Sequence, residues 1–233
     1  MEQIDFSSLK TPESSESYVK DEKTFVIKKW NWDYSEFLKF QSTYQEFVRK
    51  NTGARIYIFT NHPHCFTLGR GNERGEDSLL EFDNAIRENL GFPVYDIHRG
   101  GGITYHYPGQ WIFYPIVRVT PSYSLNDHMC WLLKLVRNHL ENEYQIKALA
   151  TQKIMGVWYQ KMKIASIGVG LNRFITEHGL AFNLNSDPIM SAELKKINPC
   201  GLNSNIYTFL NEVLDKPLID LEDFHQSIIK SIP

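Results

Sequence analysis

The run from residue 156 to 185 constrains this chain most. Its apolar residues alternate with small or polar ones, the period of a strand that buries one face. The run divides into strands over 156–166, 167–172 and 174–185, the last interrupted at His178-Gly179. It holds one lysine among apolar neighbours, Lys163, and ends shortly before a cysteine in a tight Asn198-Pro199-Cys200-Gly201 turn. A sheet is thereby placed at the centre of the chain.

Helical periods surround it. Asp33 caps a helix over 34–50, with Tyr34, Phe37, Leu38, Tyr44, Phe47 and Val48 on one face. Further helices are expected over 78–90, over 125–142 behind Ser124, and near 205–215 and 219–232. Short strands are expected over 24–28, 55–60, 92–98, 111–119 and 147–151. Residues 1–22, polar and rich in Ser, Glu and Lys, read as a flexible tail. No repeat or linker divides the rest, so 23–233 reads as one α/β domain.

Composition excludes several classes. Of 233 residues, 42% are hydrophobic and 22% charged, and the formal net charge of -2 gives no overall basic field for nucleic acid. A local basic patch can still receive an acidic partner, because totals do not show distribution. Cys65, Cys130 and Cys200 are odd in number and lack metal spacing, which argues against a disulfide framework and fits a reducing cytoplasm. No apolar run reaches membrane-span length, and the N-terminus lacks the pattern of a secretion signal.

Two residues stand out for chemistry. Between proline and glycine, Cys200 sits on a rigid turn that presents its sulfur; a thiolate attacks thioesters, and the new thioester still passes its acyl group to an amine. A lone cysteine is otherwise a small buried hydrophobe, and Cys65 and Cys130 are left with that role. By strict alternation Lys163 shares a face with Ala165 and Ile167, where desolvation favours its neutral, basic form. Its competitors are an outward-facing role and Lys161, two residues away. Ser166-Ile167-Gly168 and Gly179-Leu180-Ala181 offer small residues where backbone donors can face a developing oxyanion. Gly100-Gly101-Gly102 permits close approach or positive φ. His106 and His178 are expected to fix loops by hydrogen bonds, since no metal-binding spacing is present.

Taken in order, these segments resemble the lipoyl(octanoyl) transferase family. The resemblance rests on His62-Pro63 with Thr67-Leu68-Gly69-Arg70, on Arg99 to Gln110, on Gly156-Val157-Trp158, on Lys163 to Gly168, on His178 to Ala181 with Asn183, and on Pro199-Cys200-Gly201. It covers about residues 25–215. It implies a mixed β-sheet flanked by helices, the fold of the biotin and lipoate protein ligases. It implies octanoyl transfer from octanoyl-acyl carrier protein to a lysine of lipoyl domains, on E2 subunits of 2-oxo-acid dehydrogenases and on the glycine-cleavage H protein. Cys200 would carry the acyl group and Lys163 tune it. Arg99, Gly100, Gly101, Gly102, Ile103, Thr104, Tyr105, His106, Ser166, Ile167, Gly168, Gly179, Leu180 and Ala181 would line the substrate site. No cofactor is implied, because the donor thioester already holds the activation. An ATP-dependent ligase and a non-catalytic module that binds carrier or lipoyl domains are the alternatives. Tyr107 stands where the family has Gly and would narrow the acyl pocket or reshape the carrier's entry; His64 replaces a proline and is expected at the rim.

Overall fold

A computed structural model describes residues 4–70, 87–151, 155–196 and 206–232. Among these, the strands are β1 (Glu16–Asp21), β2 (Thr24–Lys29), β3 (Arg55–Thr60), β4 (Cys65–Leu68), β5 (Val94–Asp96), β6 (Ile103–His106), β7 (Gln110–Ile116), β8 (Leu149–Thr151), β9 (Gly156–Tyr159), β10 (Met162–Asn172) and β11 (Ile175–Asn183). The α-helices are α1 (Tyr34–Lys50), α2 (Leu125–Tyr144), α3 (Pro188–Leu194), α4 (Leu210–Val213) and α5 (Leu221–Ile228). The helix expected over 78–90 falls mostly outside the described residues. No described helix is long and apolar enough to cross a membrane.

Eight strands form one sheet in the order β1-β2-β3-β7-β11-β10-β9-β8. All neighbours are antiparallel except β2 and β3. A second sheet, β5-β4-β6, lies beside it. The sheet is mixed and flanked by helices, as expected. On one face α2 and α5 bury Leu132, Val136, Leu140, Phe224 and Ile228 against Val157, Ala165, Ile167, Leu180 and Phe182. On the other, α1 buries Tyr34, Phe37, Tyr44 and Val48 against Ile27, Ile56, Ile58, Ile112 and Ala181. Asp33 caps α1 by accepting from Glu36 N at 3.0 Å, and Ser124 and Asp127 form a capping box on α2.

Three details depart from the sequence reading. Residues 16–21, assigned to a tail, form β1 and pair with β2. All six side chains of β1 are exposed, so the strand has no apolar alternation to reveal it; backbone hydrogen bonds and the Glu16–Lys28 ion pair at 3.0 Å hold it. The break expected near residue 166 falls instead at Gln160-Lys161, whose φ of +46° and +69° form a two-residue hairpin turn. The β5-β4-β6 sheet includes residues read as loop, because strands of three or four residues are too short to show a period.

One irregularity at the sheet centre has a traceable cause. Phe113 pairs with Leu180 and Arg118 with Ile175, which sets Pro115 opposite His178. Proline brings no N–H to the ladder, and His178 turns to φ +59°. The freed His178 N–H is not orphaned: it donates to Gln41 Oε1 of α1 at 2.9 Å.

Six histidines are buried: His62, His106, His128, His139, His178 and His225. Burial disfavours their charged forms. It holds His62, His128, His139 and His225 at about 4, His178 at about 3, and His106 well below its ordinary range. The unfolded chain takes up these protons near pH 6.5, whereas the folded chain does so only near pH 4 and below. Their contribution is therefore complete above about pH 6.5 and is lost as pH falls towards about 4. Urea melts are expected to show stability steady from pH 8 to 7 and falling from pH 6.5 to 5, above the range where most unfolded carboxylates protonate. Each histidine sets a limiting slope of about 1.4 kcal/mol per pH unit. A flat profile between pH 7 and 5 would contradict the neutral, buried assignment.

Candidate active site

Strict alternation would point Lys163 towards α2, beside Ala165 and Ile167. The structure turns it the other way. Lys163 lies opposite Trp158 and Ala165 opposite Val157, so the pairing of β10 with β9 slips by one residue at Ile164. This β-bulge re-aims the side chain. Gly156 stands opposite Ser166, and a Cβ built on Gly156 would lie 2.5 Å from Lys163 Cε. Lys163 therefore occupies the face of Ser166 and Gly168, away from α2. It is buried, and its Nζ lies 5.6 Å from the centroid of the Trp158 ring. Lys161, the competitor, is exposed in the hairpin turn.

The backbone of Lys163 is held as firmly. Tyr207 pairs with it in parallel, and Thr208 N donates to Lys163 O at 3.1 Å. Asn183 Nδ2 donates to Thr208 O at 3.3 Å. Gln110 Nε2 donates to Asn183 Oδ1 at 3.2 Å, and His106 Nδ1 donates to Gln110 Oε1 at 3.0 Å. A chain of buried amides thus runs from His106 to the strand that carries Lys163. Cys200 lies outside the described residues, which resume at Ile206, next to the Tyr207 that pairs with Lys163. Cys65 is buried in β4, and burial pushes its thiol up; Cys130 is half-buried on α2.

Two segments read separately from the sequence form one floor. Ser166 pairs with Ala181, Ile167 with Leu180, and Gly168 with Gly179. Ile167 and Leu180 send their side chains into the α2 core. Ser166, Gly168, Gly179 and Ala181 leave a low surface on the opposite face. The Arg99–His106 segment approaches this surface closely. Gly100 N donates to Val169 O at 3.2 Å. A Cβ on Gly170 would lie 2.3 Å from His98 O, one on Gly69 2.3 Å from Gly101 O, and one on Gly168 2.7 Å from Arg99 Cδ. Gly101 has φ +80°, which suits glycine.

Arg99, expected in the lining of the substrate site, is a buried cation. It is 6% exposed. Its Nη2 donates to Thr67 O, Thr67 Oγ1 and Thr104 Oγ1 at 3.0, 2.8 and 2.6 Å, and Nη1 donates to Gly100 O at 3.0 Å. It ties β4 to β6 and to the glycine turn. Thr104 and His106 share its side of β6. Ile103 and Tyr105 face the other way, into a cluster with Phe66, Met190, Leu194 and Phe209.

Tyr107 joins that same cluster, fully buried, its ring 6.4 Å from that of Phe209. It packs beneath α3, on the side away from Thr104 and His106. His64 stacks on Phe92 at 4.9 Å and contacts Tyr105 Oη at 2.7 Å, with its side chain 17% exposed. His178 lies 3.3 Å from Tyr34 Oη, and His62 contacts Trp32 O at 2.6 Å. The positions of Trp158 and Gln41 escaped the sequence reading; a bulge and a broken ladder leave no periodic signal for them.

The arrangement sets a buried amine at one end of a floor of small residues, roofed by a glycine-rich turn. Comparisons with known proteins agree with this form. The family model for the lipoyl protein ligase A/B catalytic domain matches residues 33–233. An octanoyltransferase of Desulforamulus reducens is 30% identical over 208 residues, covering 89% of this chain and 88% of that protein. One from Syntrophobacter fumaroxidans is 36% identical over 172 residues, covering 73% and 72%. Among solved structures, a lipoate-protein ligase A bound with ATP superposes with a TM-score of 0.64 at 15% identity, covering 90% of this chain and 83% of that one. A structure from a study of the bipartite lipoate protein ligase of Thermoplasma acidophilum and its E2 lipoyl domain gives a TM-score of 0.59 at 13% identity, covering 90% and 81%. These two share the fold; the sequence relatives carry the activity. The chain belongs to the lipoyl protein ligase A/B catalytic-domain family and, within it, is an acyltransferase of the octanoyltransferase kind.

Proposed function

We propose that this enzyme moves an octanoyl group from an acyl carrier protein to a lysine of lipoyl domains, on E2 subunits of 2-oxo-acid dehydrogenases and on the glycine-cleavage H protein. The acyl group rests between the two steps as a thioester on Cys200. The observation that carries the reading is the bulge that buries Lys163 on the small-residue face of β10. A buried amine on that face, beside the floor of small residues, is placed for proton transfer.

In the first step Lys163 takes the Cys200 thiol proton, and the sulfur attacks the octanoyl thioester carbonyl. The bond to the carrier sulfur breaks, and the carrier leaves as a thiol once it regains a proton. Cys200 thiolate with Lys163 ammonium is an equivalent resting state, since the pair shares one proton. In the second step the acceptor amine attacks the enzyme thioester, the bond from the acyl carbon to the Cys200 sulfur breaks as the amide forms, and Lys163 receives the amine's proton, which returns the pair to thiolate and ammonium. Peptide groups of the floor and of the glycine turn are the nearest source of donors for the oxyanion in both steps.

Intact mass spectrometry after mixing with octanoyl carrier is expected to show one octanoyl adduct on the native chain and none on Cys200→Ala. A stable adduct on Cys200→Ala would remove the cysteine from the mechanism, and octanoylation from free octanoate only with ATP would make the enzyme a ligase. Lys163→Met is expected to slow adduct formation by about 10²–10⁴-fold, the range for a lost general base.

Gly168→Ala tests the floor. Its new Cβ meets the Arg99 stem, so transfer is expected to fall at least about tenfold, the cost of a small misplacement, while the chain stays folded by circular dichroism. Unchanged transfer would separate Arg99 and Gly168 from the substrate path.

A further inference from the structure

The hairpin that joins β10 to β11 ends in an exposed two-residue turn. Asn172 pairs with Ile175, and Arg173 and Phe174 between them have φ of +50° and +64°. Asn-Gly is the favoured pair for this turn; larger residues are strained there. Phe174 is nevertheless 70% exposed, and Leu171 beside it is 39% exposed. The tip is not loose. Val119 N donates to Phe174 O at 2.9 Å, and Thr176 N donates to Val117 O at 2.9 Å. A locked backbone thus presents a phenyl ring, a residue type enriched at interfaces, and a guanidinium, enriched in binding hot spots, to solvent.

The surroundings are cationic, although the whole chain is not. The tip borders a cleft of about 510 Å³ against the C-terminal half of α1, lined by Thr43, Glu46, Arg49, Asn172, Arg173 and Ile175. Arg118 pairs with Ile175 through its backbone and donates to Arg49 O at 2.7 Å. Lys50 stands on the same helix end. Arg49 and Lys50 share one carboxylate, Glu46. Glu177, the other acid nearby, is buried, and burial raises its carboxyl above the usual range. Among the described residues at this end, Arg49, Lys50, Arg118 and Arg173 outnumber the acids Glu46 and Glu177, on a chain of net charge -2.

We propose that this tip, with the end of α1, docks an acidic face of the acyl-carrying donor protein. The proposal rests on the octanoyl transfer described above. The choice of donor over acceptor follows from reach. Ten residue steps along β10 lead from Lys163 to Arg173, about 33 Å at strand rise. An acceptor brings its lysine on a stem of four carbons, so its body must sit against the reacting carbon. A carrier holds its thioester on a long flexible arm, so its body can rest further off.

Kinetics with two donors test this. The double variant R173N/F174G gives the turn its favoured pair, so it should melt no lower than the native chain. Its KM for octanoyl carrier protein is expected to rise at least about tenfold, as for the loss of a hot spot. Its kcat/KM for octanoyl-pantetheine, which has no protein body, and its KM for the lipoyl domain are expected to stay within about twofold. Salt raised from about 50 to 300 mM should increase the native KM for the carrier and leave that of the variant nearly constant. Arg173→Ser alone, with the turn otherwise intact, should give a smaller rise. An unchanged KM for the carrier overturns the proposal, as does a rise confined to the lipoyl domain. A failure of the transfer reading looks different, since the native enzyme would then use neither donor.

Discussion

One extra residue in β10, Ile164, decides which side of the sheet receives the amine of Lys163. Without the bulge the period of two would send that amine into the core made by Leu132, Val136 and Phe224. An uncompensated ammonium there would cost several kcal/mol, far more than a strand loses by one irregular pairing. With the bulge, the stem passes over Gly156 and the amine comes to the Trp158 ring. The parallel pairing with Tyr207 and the amide chain through Asn183 and Gln110 then fix the carbonyl side of the same residue. Every other part of the site is placed relative to this strand.

The second irregularity has the same economy. Pro115 in a central strand removes a donor, and His178 opposite adopts a conformation that costs a non-glycine residue about 1–2 kcal/mol. A buried N–H left without a partner would cost about 1–3 kcal/mol more. The Gln41 side chain prevents the second loss. Gly179 follows immediately; a Cβ there would lie 2.4 Å from Phe113 O, so the strand can swing close to β7 only because that position is bare. The break and the floor of small residues are parts of one adjustment.

Much of this was legible in the sequence. Asp33 and Ser124 announced their helices, and the apolar faces of α1 and α2 followed from period alone. Ordered motifs placed Lys163, Arg99 and the glycine segments in one family and anticipated the mixed sheet. What was hidden has two physical causes: departure from a regular period, and partners that come from distant parts of the chain. The bulge at Ile164 reversed the face of Lys163. β1 buries no side chain, so it resembled a tail. Thr67 and Thr104, the acceptors that bury Arg99, lie on β4 and β6. The cluster that takes the ring of Tyr107 includes α3 and Phe209, far along the chain.

Replacing glycine with alanine is a common route to greater thermal stability, since it removes freedom from the unfolded chain and gains about 0.4–1 kcal/mol where the backbone permits. Among the described glycines only Gly53 and Gly101 have positive φ, so a screen based on dihedral angles would pass Gly69, Gly170 and Gly179. At each of these the intruding methyl meets a carbonyl oxygen at 2.4 Å or less. Close approach of the neighbouring backbone at these three points therefore depends on a hydrogen atom in place of a side chain, and stabilising libraries for this enzyme should leave these positions untouched.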